Sequence, residues 1–303
     1  VNLLCDAYSK DRACPADGQW LRSLSTQQIA QAQNLTFPAG GISGLLVPGM
    51  RAGTIWNATT NVRPVTGQPI QGFNEGSKPK PYVFGVNRNE GAFFLPAAST
   101  MTPEGYEQAL VQTFGASLAR EIMAYSENGK KLYDPSGYEP LPVAGMTPAS
   151  QALGQLQTDY GVAAANMKSA SRALPQLMEA GVPSFGYHFL QHSTFNFAGM
   201  ERCNPPSENI CHTTEMPYVF SNFLEKTAEG EFKPAEGVTD ADKALANTMT
   251  QAWANFAKDP EHGLGHPKLT DANGDMYVLW DTPVTLGNLI PKARYDFWEP
   301  ILP

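Results

Sequence analysis

The sequence is poor in basic residues and has no long apolar run. Its 303 residues include 21 Lys and Arg against 29 Asp and Glu, which gives a formal net charge of −8 at pH 7. This excess of negative charge argues against binding to nucleic acid and to anionic membrane surfaces. No apolar stretch approaches the length of a membrane-spanning helix. With 42% hydrophobic residues, the composition is typical of a globular protein with a sizeable core.

The pattern Gly-x-Ser-x-Gly, which places a nucleophilic serine on a tight turn between a strand and a helix, is also missing. The two nearest approximations, Gly41-Ile-Ser-Gly44 and Gly115-Ala-Ser-Leu-Ala119, both fail it. The sequence begins at Val1 without a charged and then apolar leader. We therefore expect a processed or excised chain whose own targeting signal is not visible.

Cysteine is scarce, and its four copies form two close pairs, Cys5 with Cys14 and Cys203 with Cys211. Four cysteines allow three pairings, and the sequence alone does not choose among them. Local pairing is the most economical, because each pair encloses a short and mostly polar loop. Four reduced thiols are the alternative. Two disulfides would indicate an oxidising compartment, which predicts a protein that is secreted, periplasmic or in the lumen of the secretory pathway.

Short segments rich in aromatic and β-branched residues alternate with helical patterns. The predicted strands cover residues 81–87, 182–190 and 276–280. Strands that alternate with helices predict an α/β fold. Residues 38–80 are rich in Gly, Pro, Asn and Thr, and we expect them to form a long irregular loop.

Three threonines carry the signals of helix starts. Thr102 and Thr147 are each followed by proline, and Thr239 has Asp242 three positions on, a spacing typical of a capping box. The first helix is predicted to carry one apolar face, and the third to bury another. These faces comprise Tyr106, Leu110, Phe114, Leu118 and Ile122 in the first helix, and Leu245, Met249, Trp253 and Phe256 in the third.

Two polar residues stand out by their position. Glu90 lies in Tyr82-Val-Phe-Gly-Val-Asn-Arg-Asn-Glu90-Gly-Ala-Phe-Phe-Leu95, just beyond a predicted strand. His212 lies in Cys211-His-Thr-Thr-Glu-Met-Pro-Tyr-Val-Phe220, a loop ahead of an apolar segment. An acid after a strand, followed much later by a loop histidine, is the order of the last two members of a Ser-acid-His triad.

Other histidines and a metal site are weaker candidates. His188 alternates with strand residues, which favours a structural role, and His192 has no motif around it. His262 and His266 flank Gly-Leu-Gly and precede a proline, which argues against a helical metal pair. The group Cys203, Cys211 and His212 matches no common zinc spacing and has no evident fourth ligand. We therefore predict no metal.

The segments around Glu90 and His212 resemble the carboxylesterase/cholinesterase family (type-B carboxylesterases). In that family the acid lies in Gly-Val-x-x-x-Glu-Gly-x-x-Phe-Phe, and the histidine in His-x-x-Glu-(x)-x-x-Val-Phe. Other segments are similar in the same order: Cys5 to Cys14, Trp20-Leu-Arg-Ser-Leu-Ser, Val182–Phe189, Trp253–Pro260 and Arg294–Trp298. The resemblance runs the length of the chain, but onto only the later part of the family's fold. It implies that residues 1–303 are the C-terminal part of one α/β-hydrolase domain, a mostly parallel sheet flanked by helices. Residues 81–303 would form its catalytic portion, and a separate N-terminal chain would complete it.

The resemblance also implies a serine esterase that acts on small-molecule esters without a cofactor. Glu90 and His212 would be the acid and base of the triad, whereas the serine and the oxyanion loop would lie on the other chain. The segment Gly44-Leu-Leu-Val-Pro48 is similar to the family's acyl-pocket strand, so Leu45 and Leu46 would line the substrate pocket or, equally, belong to plain core. A cholinesterase-like binding or adhesion domain is the alternative function. Retention of both Glu90 and His212 favours the enzyme, because a binding domain needs neither.

Overall fold

The computed structural model describes residues 24–28, 79–95, 101–142, 145–196, 201–227, 230–261, 263–272, 274 and 276–302. The chain divides into two compact units, Val1–Ala58 and Thr59–Pro303. In the first unit the described residues form one helical turn over 26–28. Ser25 and Gln28 cap this turn reciprocally, because the backbone N–H of each donates to the side-chain oxygen of the other, at 2.9 and 3.2 Å.

The second unit is built on a four-stranded sheet. Its strands and those of two small hairpins are, in chain order, β1 (Tyr82–Asn87), β2 (Ser126–Glu127), β3 (Lys130–Lys131), β4 (Ser184–Phe189), β5 (Leu224–Lys226), β6 (Phe232–Pro234), β7 (Tyr277–Trp280) and β8 (Thr285–Gly287). The sheet order is β1-β4-β7-β8. The first three strands are parallel, and β8 pairs with β7 in the antiparallel direction.

The three strands predicted from the sequence are therefore present, each shorter than predicted by one to three residues. The sequence did not indicate β8 or the hairpins β2–β3 and β5–β6, whose strands are only two or three residues long. Because β1 and β4 are parallel, their carboxyl ends lie at the same edge of the sheet. The segments that follow these two strands carry Glu90 and, further along, His212.

The helices pack around this sheet. They are α1 (Glu90–Phe94), α2 (Pro103–Phe114), α3 (Ala116–Ala124), α4 (Pro148–Leu156), α5 (Ala164–Glu179), α6 (Met216–Val219), α7 (Asp240–Lys258) and α8 (Lys292–Trp298), and a π-helical segment, Gln157–Ala163, joins α4 to α5. All three predicted caps are confirmed. The Oγ1 atoms of Thr102, Thr147 and Thr239 each accept a backbone hydrogen bond, and Thr239 forms the full capping box with Asp242.

The prediction of one continuous apolar helix from Thr102 through Ile122 was wrong. Gly115 has a φ of 80°, which is a backbone conformation that L-residues avoid and glycine adopts readily. The helix therefore ends at Phe114, and α3 begins at Ala116. The apolar positions on both sides of the break still face the interior, since Tyr106, Leu110 and Ile122 have no exposed surface.

The core beside the sheet is formed by strand residues and one long helix. Phe185 and Phe189 of β4 and Trp280 of β7 share a cluster with Leu245 and Met249 of α7. Trp253 and Phe256 pack against this cluster but are only partly buried, so the predicted apolar face of α7 is confirmed with a less buried C-terminal half. No helix in the described ranges is long and apolar enough to cross a bilayer.

Candidate active site

Glu90 is the first residue of α1, one tight turn beyond the end of β1. Its side chain is only 6% exposed, and burial of a carboxylate is costly without hydrogen-bond partners. Both of its oxygens have one. Oε1 accepts from the backbone N–H of Asn87 at 2.7 Å, and Oε2 lies 2.6 Å from Nδ1 of His212. The structure thus places this carboxylate between the strand end and the histidine loop.

The turn that carries Glu90 is held from behind by the segment that joins α4 to α5. The backbone N–H of Gly91 donates to Thr158 Oγ1 at 2.9 Å, and Thr158 Oγ1 donates to the carbonyl of Gly154 at 2.8 Å. A Cβ atom on Gly91 would lie 2.2 Å from the same carbonyl oxygen. Close backbone approach therefore requires glycine at this position.

His212 lies in the loop between β4 and α6, directly after a disulfide. The Cys203–Cys211 bond is present, with the two Cα atoms 5.6 Å apart. The carbonyl of Cys211 accepts from Asn87 Nδ2 and from Thr214 Oγ1, each at 2.8 Å. The residue before the imidazole is therefore fixed on both sides, by a covalent bond to Cys203 and by hydrogen bonds to β1 and to its own loop.

The imidazole of His212 is flanked by aromatic rings but reaches solvent. Its ring centroid lies 5.6 Å from that of Phe93 and 4.9 Å from that of Phe94, while 44% of the side chain is exposed. Nδ1 donates to Glu90, which fixes the tautomer and leaves Nε2 with the lone pair. Among the described residues Nε2 has no hydrogen-bond partner, so it is the atom that can exchange a proton.

Electrostatics favour the protonated imidazole. The hydrogen bond to Glu90 raises the pKa of His212, burial opposes this, and the charges of Glu90 and Glu215 raise it further. Burial also raises the pKa of Glu215, against the hydrogen bond from Asn87, and the nearby Glu90 charge acts in the same direction as burial. The site can therefore hold a positive charge on His212 once it has taken up a proton.

His188 has no hydrogen bond or ion pair with Glu90 within the described residues, and its structural role stays a prediction. Burial and the charges of Arg88 and Arg294 lower the pKa of His188 to about 4, so it is neutral near pH 7. His266 packs edge-on against Trp280, at 5.9 Å between ring centroids. Of the four histidines in the described residues, His212 alone has a carboxylate partner.

Several predicted features lie outside the described residues: Cys5, Cys14, Leu45, Leu46, His262 and residues 38–78 of the predicted loop. Their roles stay predictions. Within the described ranges no group of three or more His, Cys, Asp or Glu side chains could hold a metal ion. Sequence reasoning missed Asn87 and Thr158, because a single amide or hydroxyl outside any motif gives no signal.

Comparison with known proteins gives the same family across the chain. The carboxylesterase family matches residues 3–298. Human carboxylesterase 5A is 28% identical over 132 residues, which cover 41% of this chain and 21% of that protein. The para-nitrobenzyl esterase of Bacillus subtilis (strain 168) is 25% identical over 222 residues, or 69% of this chain and 35% of the esterase.

The rat (Rattus norvegicus) acylcarnitine hydrolase is 28% identical over 124 residues, which cover 40% of this chain and 20% of that enzyme. The chain thus matches between a fifth and about a third of the length of these relatives. The mixed sheet, with parallel strands flanked by helices and an acid after β1, is consistent with part of an α/β-hydrolase fold. The family match covers nearly every residue, and the chain therefore belongs to the carboxylesterase family.

Proposed function

We propose that this chain supplies two of the three triad residues of a serine carboxylesterase. The observation that carries the proposal is the 2.6 Å contact between Glu90 Oε2 and His212 Nδ1. It joins a buried acid to an imidazole whose other nitrogen is free among the described residues. This is the arrangement that a general base needs, because one ring nitrogen is oriented by the acid while the other receives a proton.

The reaction would proceed by acyl transfer in two steps. Nε2 of His212 takes the proton of a serine hydroxyl as the serine oxygen attacks the ester carbonyl, and the imidazolium then returns a proton to the leaving alcohol. Water, activated by the same nitrogen, hydrolyses the acyl-enzyme. Glu90 orients the imidazole and stabilises its charged form throughout. These steps require no cofactor.

The serine and the oxyanion donors belong, in this proposal, to a separate N-terminal polypeptide. Three observations support this. The 303 residues contain no Gly-x-Ser-x-Gly, and the match to human carboxylesterase 5A covers 21% of that enzyme. Within the described residues β1 pairs along one edge only, with β4, so its other edge is available to a further strand.

The compartment and the substrate follow from the same proposal. The Cys203–Cys211 bond supports an oxidising compartment, that is, a secreted or periplasmic protein. The relatives' names include a carboxylesterase, a para-nitrobenzyl esterase and an acylcarnitine hydrolase, which supports small carboxylic esters as the substrate class. A binding or adhesion domain would gain nothing from a buried carboxylate held against an exposed imidazole.

The test is hydrolysis of p-nitrophenyl acetate and butyrate by this chain in complex with the serine-bearing chain. His212→Ala should lower kcat by about 10⁴-fold or more, since triad residues act as a unit. His192→Ala is the matched control, because this histidine has no contact with Glu90, and it should keep full activity. Equal activity of His212→Ala and the control would remove the site assignment.

Two further measurements address the second polypeptide. A fluorophosphonate probe should label a chain other than this one, identified by mass spectrometry. Light scattering after gel filtration should show this chain in a complex, with an interface on the order of several thousand Å². A monomer of the 303-residue chain that melts cooperatively and hydrolyses esters by itself would show that no complementing chain is required.

A further inference from the structure

Asn87 connects the acid-bearing turn to the histidine loop. It is the last residue of β1 and only 2% exposed. Its backbone N–H donates to Glu90 Oε1 at 2.7 Å, and its side-chain amide donates to the carbonyl of Cys211 at 2.8 Å. The same amide also donates to Glu215 Oε2. One buried residue therefore contacts the acid and both flanks of His212.

Glu215 is a second carboxylate beside the triad histidine, three residues further along the same loop. It is half-buried, and burial raises its pKa while the hydrogen bond from Asn87 opposes that rise. The donor from Asn87 thus favours the ionised form of Glu215. Since the charge of Glu215 acts on His212 in the same direction as that of Glu90, the second carboxylate adds to the first.

We propose that Asn87 and Glu215 form a positioning pair for His212. The Asn87 amide holds the histidine loop on the acid-bearing turn and keeps Glu215 ionised, and Glu215 supplies a second negative charge to the imidazole. This proposal rests on the proposed function, in which His212 is the general base. It gives a role to two residues that touch neither the ester nor the serine.

The charged and titratable groups around His212 allow the contribution of Glu215 to be isolated. Glu90 faces the ring from α1, and Glu215 from the ring's own loop. Tyr187 of β4 is close to both carboxylates; burial and then the charges of Glu215 and Glu90 raise its pKa, so it stays neutral through the titration of the histidine. Cys211 is in a disulfide and does not titrate. Removal of Glu215 alone therefore changes one charge near His212.

The test is the pKa of His212, measured by NMR on protein labelled with ¹³C at histidine Cε1. The resonance is assigned by its absence in His212→Gln. Glu215→Gln keeps the acceptor for Asn87 but loses the charge, and it should lower the pKa by about 0.5 to 1 unit. Glu208→Gln removes a charge from an exposed position on the same loop and is the control; it should leave the pKa unchanged.

The coupling between the two residues is tested with a double-mutant cycle. Asn87→Leu removes the donor and should protonate Glu215, so it should lower the pKa of His212 by a similar amount. The double variant should then lower the pKa of His212 by no more than the single variant that has the larger effect. Additive shifts, or no shift in Glu215→Gln, would overturn the proposal, and the Glu215→Gln result decides even where Asn87→Leu does not fold.

These outcomes are separate from the proposed function, because the NMR titration needs neither serine nor substrate. A lowered pKa, together with no ester hydrolysis when the serine-bearing chain is present, would support the pair and refute the esterase. An active enzyme whose pH–rate profile is the same in Glu215→Gln as in Glu208→Gln would refute the pair and leave the esterase intact.

Discussion

Single residues at the site differ sharply in their access to solvent. The side chain of Glu90 is 6% exposed and that of His212 is 44% exposed. The carboxylate of Glu90 is thus shielded and held by two hydrogen bonds, while the imidazole of His212 keeps the access to solvent that the proposed proton transfer would require. This asymmetry links burial to chemistry, since the buried partner controls the pKa of the exposed one.

The pH dependence of activity tests this link. In the proposed mechanism neutral His212 is the base. Its pKa lies above the ordinary 6.5, so kcat/KM should fall as the pH decreases through a value above 6.5. Glu90→Gln removes the hydrogen-bonded charge that is the first cause of the shift. In this variant the inflection of the pH–rate profile should therefore move to lower pH, and the rate itself should fall strongly. The measurement is kcat/KM from pH 5 to 9 for both proteins.

The same shift predicts the opposite trend for stability. A raised pKa in the folded state stabilises the protein below the pKa of the unfolded state, and the contribution is lost as the pH rises through the folded value. Glu90→Gln should therefore lower the melting temperature more at pH 5.5 than at pH 9. A larger loss at pH 9 would contradict the raised pKa of His212.

At the level of elements, the site depends on how closely α1 approaches α4. Gly91 faces the carbonyl of Gly154 with no room for a side chain, and its N–H is held by Thr158 from the π-helical segment. The π-helical segment Gln157–Ala163 places Thr158 against the acid-bearing turn. Such segments are common at functional sites, and here the segment fixes the backbone next to Glu90.

Gly91→Ala should therefore disturb both stability and catalysis. The new methyl group would overlap the Gly154 carbonyl, and we expect a loss of about 1–3 kcal/mol in unfolding free energy, as for other overpacked interiors, with a fall in kcat. Gly161→Ala is the matched control. It lies in the same π-helical segment, its Cβ would have nothing within 4 Å, and chemical denaturation should show equal or slightly greater stability.

The disulfide is the second element that holds the site. The Cys203–Cys211 disulfide links residues that are eight positions apart. In the chain-entropy model a loop of this length stabilises the folded protein by about 2–3 kcal/mol. Its larger effect should be local, because Cys211 directly precedes His212, the general base of the proposed mechanism. Mild reduction should lower activity at 25 °C, where circular dichroism still shows a folded protein.

Thiol titration provides the check on this prediction. The denatured, unreduced protein should contain no free thiol, since Cys5 and Cys14 are predicted to pair as well. Four free thiols would remove both the constraint on the histidine loop and the argument for an oxidising compartment. Unchanged activity after confirmed reduction would show that hydrogen bonds alone hold His212.

At the level of the second unit, Arg294 of α8 links distant segments. Its guanidinium contacts Glu127 of β2 at 2.6 Å and Asp159 of the π-helical segment at 3.4 Å. Asp159 is buried and also accepts a hydrogen bond from the Tyr133 hydroxyl at 2.8 Å. The oxygen of that hydroxyl in turn accepts a hydrogen bond from Trp298 Nε1, also at 2.8 Å. This network joins the last helix to the segment that supports the acid-bearing turn.

Arg294→Met should lower the unfolding free energy by about 3–5 kcal/mol, because it leaves Asp159 buried without its cation. Burial already raises the pKa of Asp159 against the charge of Arg294. Arg294→Met/Asp159→Asn should recover part of the loss, measured by urea denaturation. Lys243→Met, which breaks an exposed pair with Asp240, is the control and should leave the midpoint unchanged. No recovery in the double variant would mean that Arg294 acts through packing alone.

The sequence by itself determined the features that depend on neighbouring residues. The capping threonines, three of the strands and the acid and histidine segments are all readable over stretches of about ten residues, and the structure contains each of them. A single glycine at 115 escaped this reasoning, because apolar spacing does not report the φ of 80° that ends α2.

Only the tertiary structure decided which of these segments meet. Glu90 and His212 are 122 residues apart, Asn87 and Glu215 are 128 apart, and Arg294 and Asp159 are 135 apart. A contact of this kind leaves no periodic trace along the chain, because it depends on how strands and helices pack rather than on local propensity. Family resemblance supplied the first pair, but the contacts of Asn87 and Arg294 were visible only once the packing of strands and helices brought their partners within hydrogen-bond distance.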